Sequence, residues 1–431
     1  MKKVLLISYY WPPSGGSGVQ RPLKFVKYLR DFGWEPIVYT VENPEAPELD
    51  ESLLNEIPEG VVVLKTKAFE PYSIYRILTG KDKNAKINPT FFGKNNKRSI
   101  IDKIVLWIRS NIFIPDPRMF WIKPSVEYLV HYLKKNPVDA IISTGPPHSM
   151  HLIAQQVKAQ TGLPWIADFR DPWTNIDYFS ELSLSKWAEK KHHRLERKVL
   201  QTADHLLVVG SMMVNEFITK TNQPISLIPN GYDTSDYDLT NPIVLDNEFS
   251  IVHLGMLGKA RNHEAFWKAI KQLIVENHEF GAKLKIKLYG KLDASVQSSV
   301  ETFNLQNWVE FHSYVPHQEV VNIQRKAQVL YLPLNDSINA KGILTGKLFE
   351  YLAVQRPVLC VGPSDGDAAK VLLDAGAGLI ADFTDVELLK KHILHYFVQY
   401  QNGELNIQSS GVEQYSRRNL TGDLAKVLNK L

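Results

Sequence analysis

Lys347 and Glu350 stand three residues apart in Gly346-Lys-Leu-Phe-Glu-Tyr-Leu-Ala353, a spacing that puts a cation and a carboxylate on one face of a helix. The preceding run, Asn339-Ala-Lys-Gly-Ile-Leu-Thr-Gly346, is small and flexible and follows the strand-like Val329-Leu-Tyr-Leu-Pro-Leu334. A glycine-containing loop between a strand and a helix start offers free N–H groups and the positive end of the helix dipole, a receptor for phosphate oxygens. The Lys347 ammonium could meet phosphate there. The Glu350 carboxylate could accept from ribose hydroxyls, and the backbone of Ile343, Leu344, Thr345 and Gly346 could share the anion. An ordinary helix start explains this stretch, taken alone, equally well.

A second set of polar residues lies at other strand ends. Ser143-Thr-Gly-Pro-Pro-His148 and Asp168-Phe-Arg-Asp-Pro-Trp173 each follow an apolar strand, and open α/β sheets bind ligands beyond the carboxyl ends of their strands. Asp168, Arg170 and Asp171 are therefore candidates for orienting an acceptor hydroxyl or touching a sugar. His148 is a candidate polar contact or proton partner, and Trp173 a neighbouring contact; the competing reading is a structural, salt-bridged turn. Gly15 and Gly16 supply further N–H groups after the first strand, but the loop lacks GxGxxG spacing, so no dehydrogenase reading follows. Neither HExxH nor CxxC is present, and Asp365-Gly-Asp367 reads as a helix cap, so no metal is expected.

The elements that would position these residues alternate strand and helix almost from end to end. Val4–Ser8, Pro36–Tyr39, Val61–Leu64, Ala140–Ser143, Pro164–Asp168 and His205–Val209 read as strands, with helices at 21–32, 148–160 and 183–200. From Thr221 to Asn247 the chain is turn-rich. The alternation then restarts with strands at Ser250–Leu254, Leu284–Tyr289, Trp308–Phe311, Val329–Leu332 and Val358–Val361, and helices at 264–276, 295–303, 316–327, 346–354, 367–374 and 385–399. This predicts an α/β protein of two doubly wound domains with a cleft between them. The boundaries are residues 1–230 for the first domain, 231–248 for a linker, 249–405 for the second domain and 406–431 for a helical tail.

The 431 residues suffice for two or three domains, and 44% hydrophobic with 22% charged residues is a globular composition. The single cysteine, Cys360, excludes an intrachain disulfide and fits a reducing, cytoplasmic setting. No stretch approaches a transmembrane helix in length. The apolar N-terminal run is too short for a signal peptide and reads as a buried strand. One segment breaks the pattern: residues 79–123 hold ten Lys/Arg against three Asp, a local charge of +7, interleaved with aromatics such as Phe91, Phe92, Trp107 and Trp121. That composition suits an anionic membrane surface or a lipid-linked anionic acceptor, with Lys94, Lys97 and Arg98 as contacts, and would also suit single-stranded nucleic acid. A solvated insertion with a couple of core aromatics is the structural alternative.

Ile228-Pro-Asn-Gly-Tyr-Asp233 resembles the loop closing the N-terminal domain in retaining glycosyltransferases of family four, which have the GT-B fold. Lys3–Gly18 is similar to that family's first strand and glycine loop, and Ala203–Val209 to the strand before the Pro-Asn-Gly loop. His253–Gly258 with Arg261-Asn262 is similar to the phosphate loop, and Leu348–Ala353 with Arg356–Leu359 to the second-glutamate helix and the strand after it. The resemblance implies transfer of a sugar from a nucleotide-sugar donor to an acceptor hydroxyl with retention, without a catalytic metal or other cofactor. Glu350 would hold ribose and Arg261 the diphosphate. The acceptor would be a sugar, lipid-linked or polysaccharide group, in cell-surface polysaccharide or glycolipid synthesis at the inner membrane face, with no nucleic acid partner. Three departures stand out. Met256, in the first loop of the second domain, stands where many members have arginine. Gly342 occupies the place of the family's first glutamate, leaving Lys341 or backbone near Gly342 to contact the sugar. Arg170 stands where the family often has histidine. An epimerase or hydrolase of similar architecture, or a non-enzymatic nucleotide-sugar or nucleic-acid binder, are the alternative functions.

Overall fold

The computed structural model describes residues 1–45, 49–69, 107–176, 179, 182–237, 242–313, 315, 317–406 and 411–431. By their contacts these form two compact units, residues 1–229 with 420–431, and residues 230–419.

The first unit is built on a seven-stranded parallel sheet: β1 (Lys2–Ile7), β2 (Trp34–Val41), β3 (Val62–Thr66), β4 (Ala140–Gly145), β5 (Trp165–Phe169), β6 (His205–Val208) and β7 (Ile225–Leu227), in the order β3-β2-β1-β4-β5-β6-β7. The apolar runs explain the parallel arrangement. β4 and β5 are buried along their whole length and β1 from Val4 onward, as strands covered on both faces by crossover helices must be. Leu5 pairs with Ile37 on one side and Ile141 on the other. Strand order reverses between β1 and β4, so the loops after β1, β4 and β5 gather near a topological switch point.

The second unit repeats the plan with six parallel strands: β8 (Phe249–Leu254), β9 (Leu284–Tyr289), β10 (Val309–His312), β11 (Val329–Pro333), β12 (Val358–Val361) and β13 (Gly378–Ala381), in the order β10-β9-β8-β11-β12-β13. Here the switch point lies between β8 and β11. The helix Gly346–Ala353 follows β11 and buries Leu348, Phe349, Tyr351 and Leu352. Its remaining face carries Lys347 and Glu350. Two Rossmann-like α/β units thus stand as the alternation predicts.

The last strand, β13, was not foreseen, and three further details differ from the sequence reading. The turn-rich stretch 221–247 contains the edge strand β7, too short to stand out among its flanking turn residues. The basic segment 79–123 ends inside a helix that the sequence reading did not place, Met119–Lys135, whose Trp121 is a core aromatic against Tyr39, with ring centroids 5.1 Å apart. Phe91, Phe92, Lys94, Lys97 and Arg98 lie outside the described residues. The end of the chain, read as a separate tail, packs as a helix (Arg417–Leu428) whose Leu424, Ala425 and Leu428 join Val4, Phe25 and Ile142 in one core cluster. Trp34 Nε1 donates to Asn429 at 3.1 Å.

One buried ion pair fixes the strand ends of the first unit. Arg21, 1% exposed, donates through Nε and Nη2 to the Asp168 carboxylate at 2.8–3.1 Å and through Nη1 to the Pro229 carbonyl at 2.8 Å. Thr144 also donates to Asp168 at 2.8 Å. The first helix (Ser17–Leu29), β4, β5 and the end of the unit meet at this carboxylate. Arg21→Met is expected to destabilise the protein by about 3–5 kcal/mol in urea unfolding, because it leaves a buried charge unpaired. Adding Asp168→Asn should restore part of that loss.

Candidate functional site

The second unit brings three of the expected residues to one place. β8 is followed by Gly255, whose φ of +110° favours glycine, and a Cβ there would collide with Lys347 Nζ. Only a glycine therefore lets the Lys347 ammonium rest against the loop after β8. The short helical turn Lys259–Arg261 in the same loop presents Arg261. Its Nε donates to Asn335 Oδ1 at 2.7 Å, which ties this loop to the one after β11. The Asp336 N–H to Ala260 carbonyl bond (2.9 Å) and the contact of His263 Nε2 with the Leu334 carbonyl (2.8 Å) fasten the two loops further.

Neither cation has an ion pair with a carboxylate among the described residues. Burial lowers the Lys347 pKa to about 8, the neighbouring Arg261 lowers it too, and Glu350 opposes the shift. Burial also lowers the pKa of Arg261, which stays a cation at neutral pH. Beneath them His253 is buried, and burial with the Lys347 charge holds its pKa at about 3, so it is a neutral imidazole contacting the Tyr331 carbonyl at 3.0 Å. Lys347 lies in the first turn of the helix capped by Thr345, whose hydroxyl accepts from the Leu348 N–H at 3.4 Å. Two cations and a helix N-terminus converge with no carboxylate ion-paired to either cation among the described residues. The chemistry of this arrangement is suited to phosphate oxygens.

Lys341 and Gly342 are placed differently. Lys341 pairs with Asp365 at 2.5 Å on the surface, and Gly342 is the exposed end of a single turn, Ala340–Gly342, whose Ala340 is buried. The ammonium read as a sugar contact is thus engaged by a neighbouring loop. Met256 in the β8 loop is exposed.

In the first unit the strand-end residues divide. Asp168 was expected to touch substrate, and the structure corrects this: the carboxylate is wholly buried and its oxygens are taken by Arg21 and Thr144. Trp173 is also turned inward, 3% exposed, and donates to His192 Nδ1 at 3.1 Å. His148 stacks on it with ring centroids 4.4 Å apart. Burial, then nearby His151, His192 and Arg170, push the His148 pKa well below the ordinary histidine value, so it is no proton store at neutral pH. Arg170 bridges the start of the first helix and the loop after β4 by donating to the carbonyls of Gly18 (2.6 Å) and Pro146, while its buried Nε has no partner among the described residues. Asp171 is exposed at the end of β5, as is Gly16, whose φ is +87°; Gly15 is buried. Arg21, Asn335 and His253 were not foreseen. For Arg21 the signal was a charge four residues before Phe25, on a helix face otherwise apolar.

Residues 23–236 match the model of Glycosyltransferase Family 4. The N-terminal domain belongs to glycosyltransferase family 4. The chain is accordingly a glycosyltransferase, and solved structures share its architecture along its length. Sucrose-phosphate synthase from Thermosynechococcus elongatus aligns over 100% of this chain and 99% of its own at 14% identity, TM-score 0.61. HepE of Anabaena in complex with UDP aligns over 100% of both chains at 13% identity, TM-score 0.62. The lipopolysaccharide outer core galactosyltransferase WaaB aligns over 100% of both at 12% identity, TM-score 0.58. At such identities the likeness establishes the GT-B fold. No curated protein sequence matches the chain.

The Lys347 pKa gives the uncompensated charge a pH signature. Between about 8 and the ordinary lysine value the unfolded chain holds more protons than the folded one, so stability rises with pH across that window and the penalty is complete below it. Lys347→Met is expected to stabilise the ligand-free protein at pH 7 by about 1–2 kcal/mol, allowing for screening at a half-buried site. Urea unfolding of the two proteins should show the difference shrinking as pH rises above 8.

Proposed function

We propose that the protein transfers a sugar, with retention of anomeric configuration, from a nucleoside-diphosphate sugar bound by the second unit to a hydroxyl acceptor of a cell-surface polysaccharide or glycolipid. The observation that carries the donor half is the pair Arg261 and Lys347: two cations with no carboxylate partner among the described residues, at a helix start beside the β8–β11 switch point. A nucleoside diphosphate leaves readily only when the charge growing on its phosphate is neutralised. Arg261, anchored at Nε by Asn335 and at Nη1 by the Met256 carbonyl at 3.4 Å, turns its Nη2 to that phosphate, and Lys347 meets the second charge with the N–H groups of the same helix start. Glu350 on the helix face accepts from ribose. The likeness to a UDP-bound structure supports a nucleoside diphosphate as the leaving group.

These cations do the work that a divalent metal does in other phosphate chemistry, so none is required in this reading. Retention follows when the departing phosphate oxygen takes the acceptor's proton on the face it leaves. The bond from anomeric carbon to phosphate oxygen breaks, the bond to the acceptor oxygen forms, and no protein nucleophile enters. On the first unit, exposed Asp171, the Gly15-Gly16 loop, Arg170 and neutral His148 are the groups this reading assigns to the acceptor and sugar. With Lys341 engaged by Asp365, the sugar contacts fall to backbone near Gly342.

A thermal-shift panel of UDP-, GDP-, ADP- and TDP-sugars is expected to yield at least one stabilising ligand, and a flat panel overturns the donor assignment. With the donor so found, Arg261→Ala should lower kcat/KM by about 10²–10³-fold. Activity should survive chelation with EDTA. Turnover of donor at full rate with no acceptor present would instead indicate a hydrolase or epimerase.

A further inference from the structure

The helix Lys186–Thr202 carries a surface that sugar transfer does not use. Its inner side is satisfied. Ala188, Val199 and Leu200 are buried, His192 accepts from Trp173, and Glu196 accepts from the Thr174 N–H (3.1 Å) and hydroxyl (2.9 Å) and from Lys220 (2.8 Å). Its outer side is basic. Lys186, Lys190, Arg194, Arg197 and Lys198 are exposed and Lys191 is half-buried; against these six cations the helix exposes one acid, Glu189, a net of +5. None of the six forms an ion pair among the described residues. Positions 186, 190, 194, 197 and 198 recur at three- and four-residue steps, so their side chains form one row about 18 Å long. Trp187 stands in the first turn, 62% exposed, with Lys191 Nζ 4.9 Å from its ring centroid.

Like charges at four-residue spacing repel along a helix, and nothing described within the protein relieves them. We propose that this helix face docks the protein on an anionic lipid surface. A straight row of unpaired cations on one side of a rigid helix matches a planar array of anionic headgroups. Long Lys and Arg stems reach such headgroups while the helix lies parallel to the surface, and an exposed tryptophan at one end suits the interface between headgroup and acyl chain. Single-stranded nucleic acid fits less well, because it asks for aromatics interleaved with the charges as a stacking track, and here the lone exposed tryptophan lies at the end of the row. No helix of the described residues is long and apolar enough to cross a membrane, so attachment through this face would be peripheral.

The test is co-sedimentation with phosphatidylcholine vesicles containing or lacking phosphatidylglycerol, using the full chain. The wild type is expected to bind the anionic vesicles only, and less as salt is raised. The combined variant Lys190→Gln, Arg194→Gln, Arg197→Gln, Lys198→Gln should lose at least about tenfold in partitioning. The charge-preserving Lys190→Arg, Lys198→Arg should bind as wild type, and Trp187→Ala should bind more weakly. Melting temperatures equal to wild type show that the variants fold. A wild type that ignores anionic vesicles overturns the proposal, as does a charge-neutralised variant that still binds them. Tighter binding to an oligothymidine strand than to vesicles, abolished in that variant, overturns it in favour of nucleic acid.

Discussion

A charge buried at the carboxyl end of a parallel sheet must find a partner within the chain or remain available for a ligand, and the two units resolve this in opposite ways. In the first, the wholly buried Asp168 is closed by Arg21 and Thr144. Four segments of chain are held at the rim of the sheet by that single carboxylate. In the second, Lys347 and Arg261 crowd one another, and Glu350 on the same helix offsets the Lys347 charge in part without pairing with it. Desolvating a cation without a counter-charge is costly. Its persistence at a helix start is the feature on which the proposed donor site rests.

The two helix starts show the same contrast. The helix Ser149–Thr161 receives a carboxylate from within the unit, Asp116 accepting from the Ser149 N–H and hydroxyl at 2.9 Å. The helix Gly346–Ala353 has only the Thr345 hydroxyl on the Leu348 N–H and no acid in its first turn. Parallel sheets generate many such starts, and what distinguishes one as a receptor is the absence of an internal anion together with cations nearby. Glycine completes the arrangement, since any side chain at Gly255 would displace the Lys347 ammonium.

The fold was legible in the sequence because its signals are local. Continuous apolar runs bounded by turn residues gave most strands, and four elements, Glu264–Glu276, Leu284–Tyr289, Val358–Val361 and Asp367–Asp374, end where their patterns end. β7 was hidden by its length, and the Met119–Lys135 helix by its place beside a basic segment. The site was legible in part. Lys347 and Glu350 share a helix face, so spacing alone brought them together. Arg261 and Asn335 meet across 74 positions of chain, and no local pattern encodes that. Asp168 shows the limit from the other side: a polar residue at a strand end reads as functional until its partner, Arg21, is located 147 residues away.

The central claim is that the second unit holds a nucleoside diphosphate between the loop after β8 and the start of the helix after β11. Hydrogen–deuterium exchange with and without the nucleoside diphosphate of the best-binding donor tests it most directly. The account predicts slowed exchange of backbone amides in two segments, 255–261 and 343–348, with the Arg21–Asp168 region unchanged. Protection confined to the first unit, or none in those segments at saturating nucleotide, would contradict it.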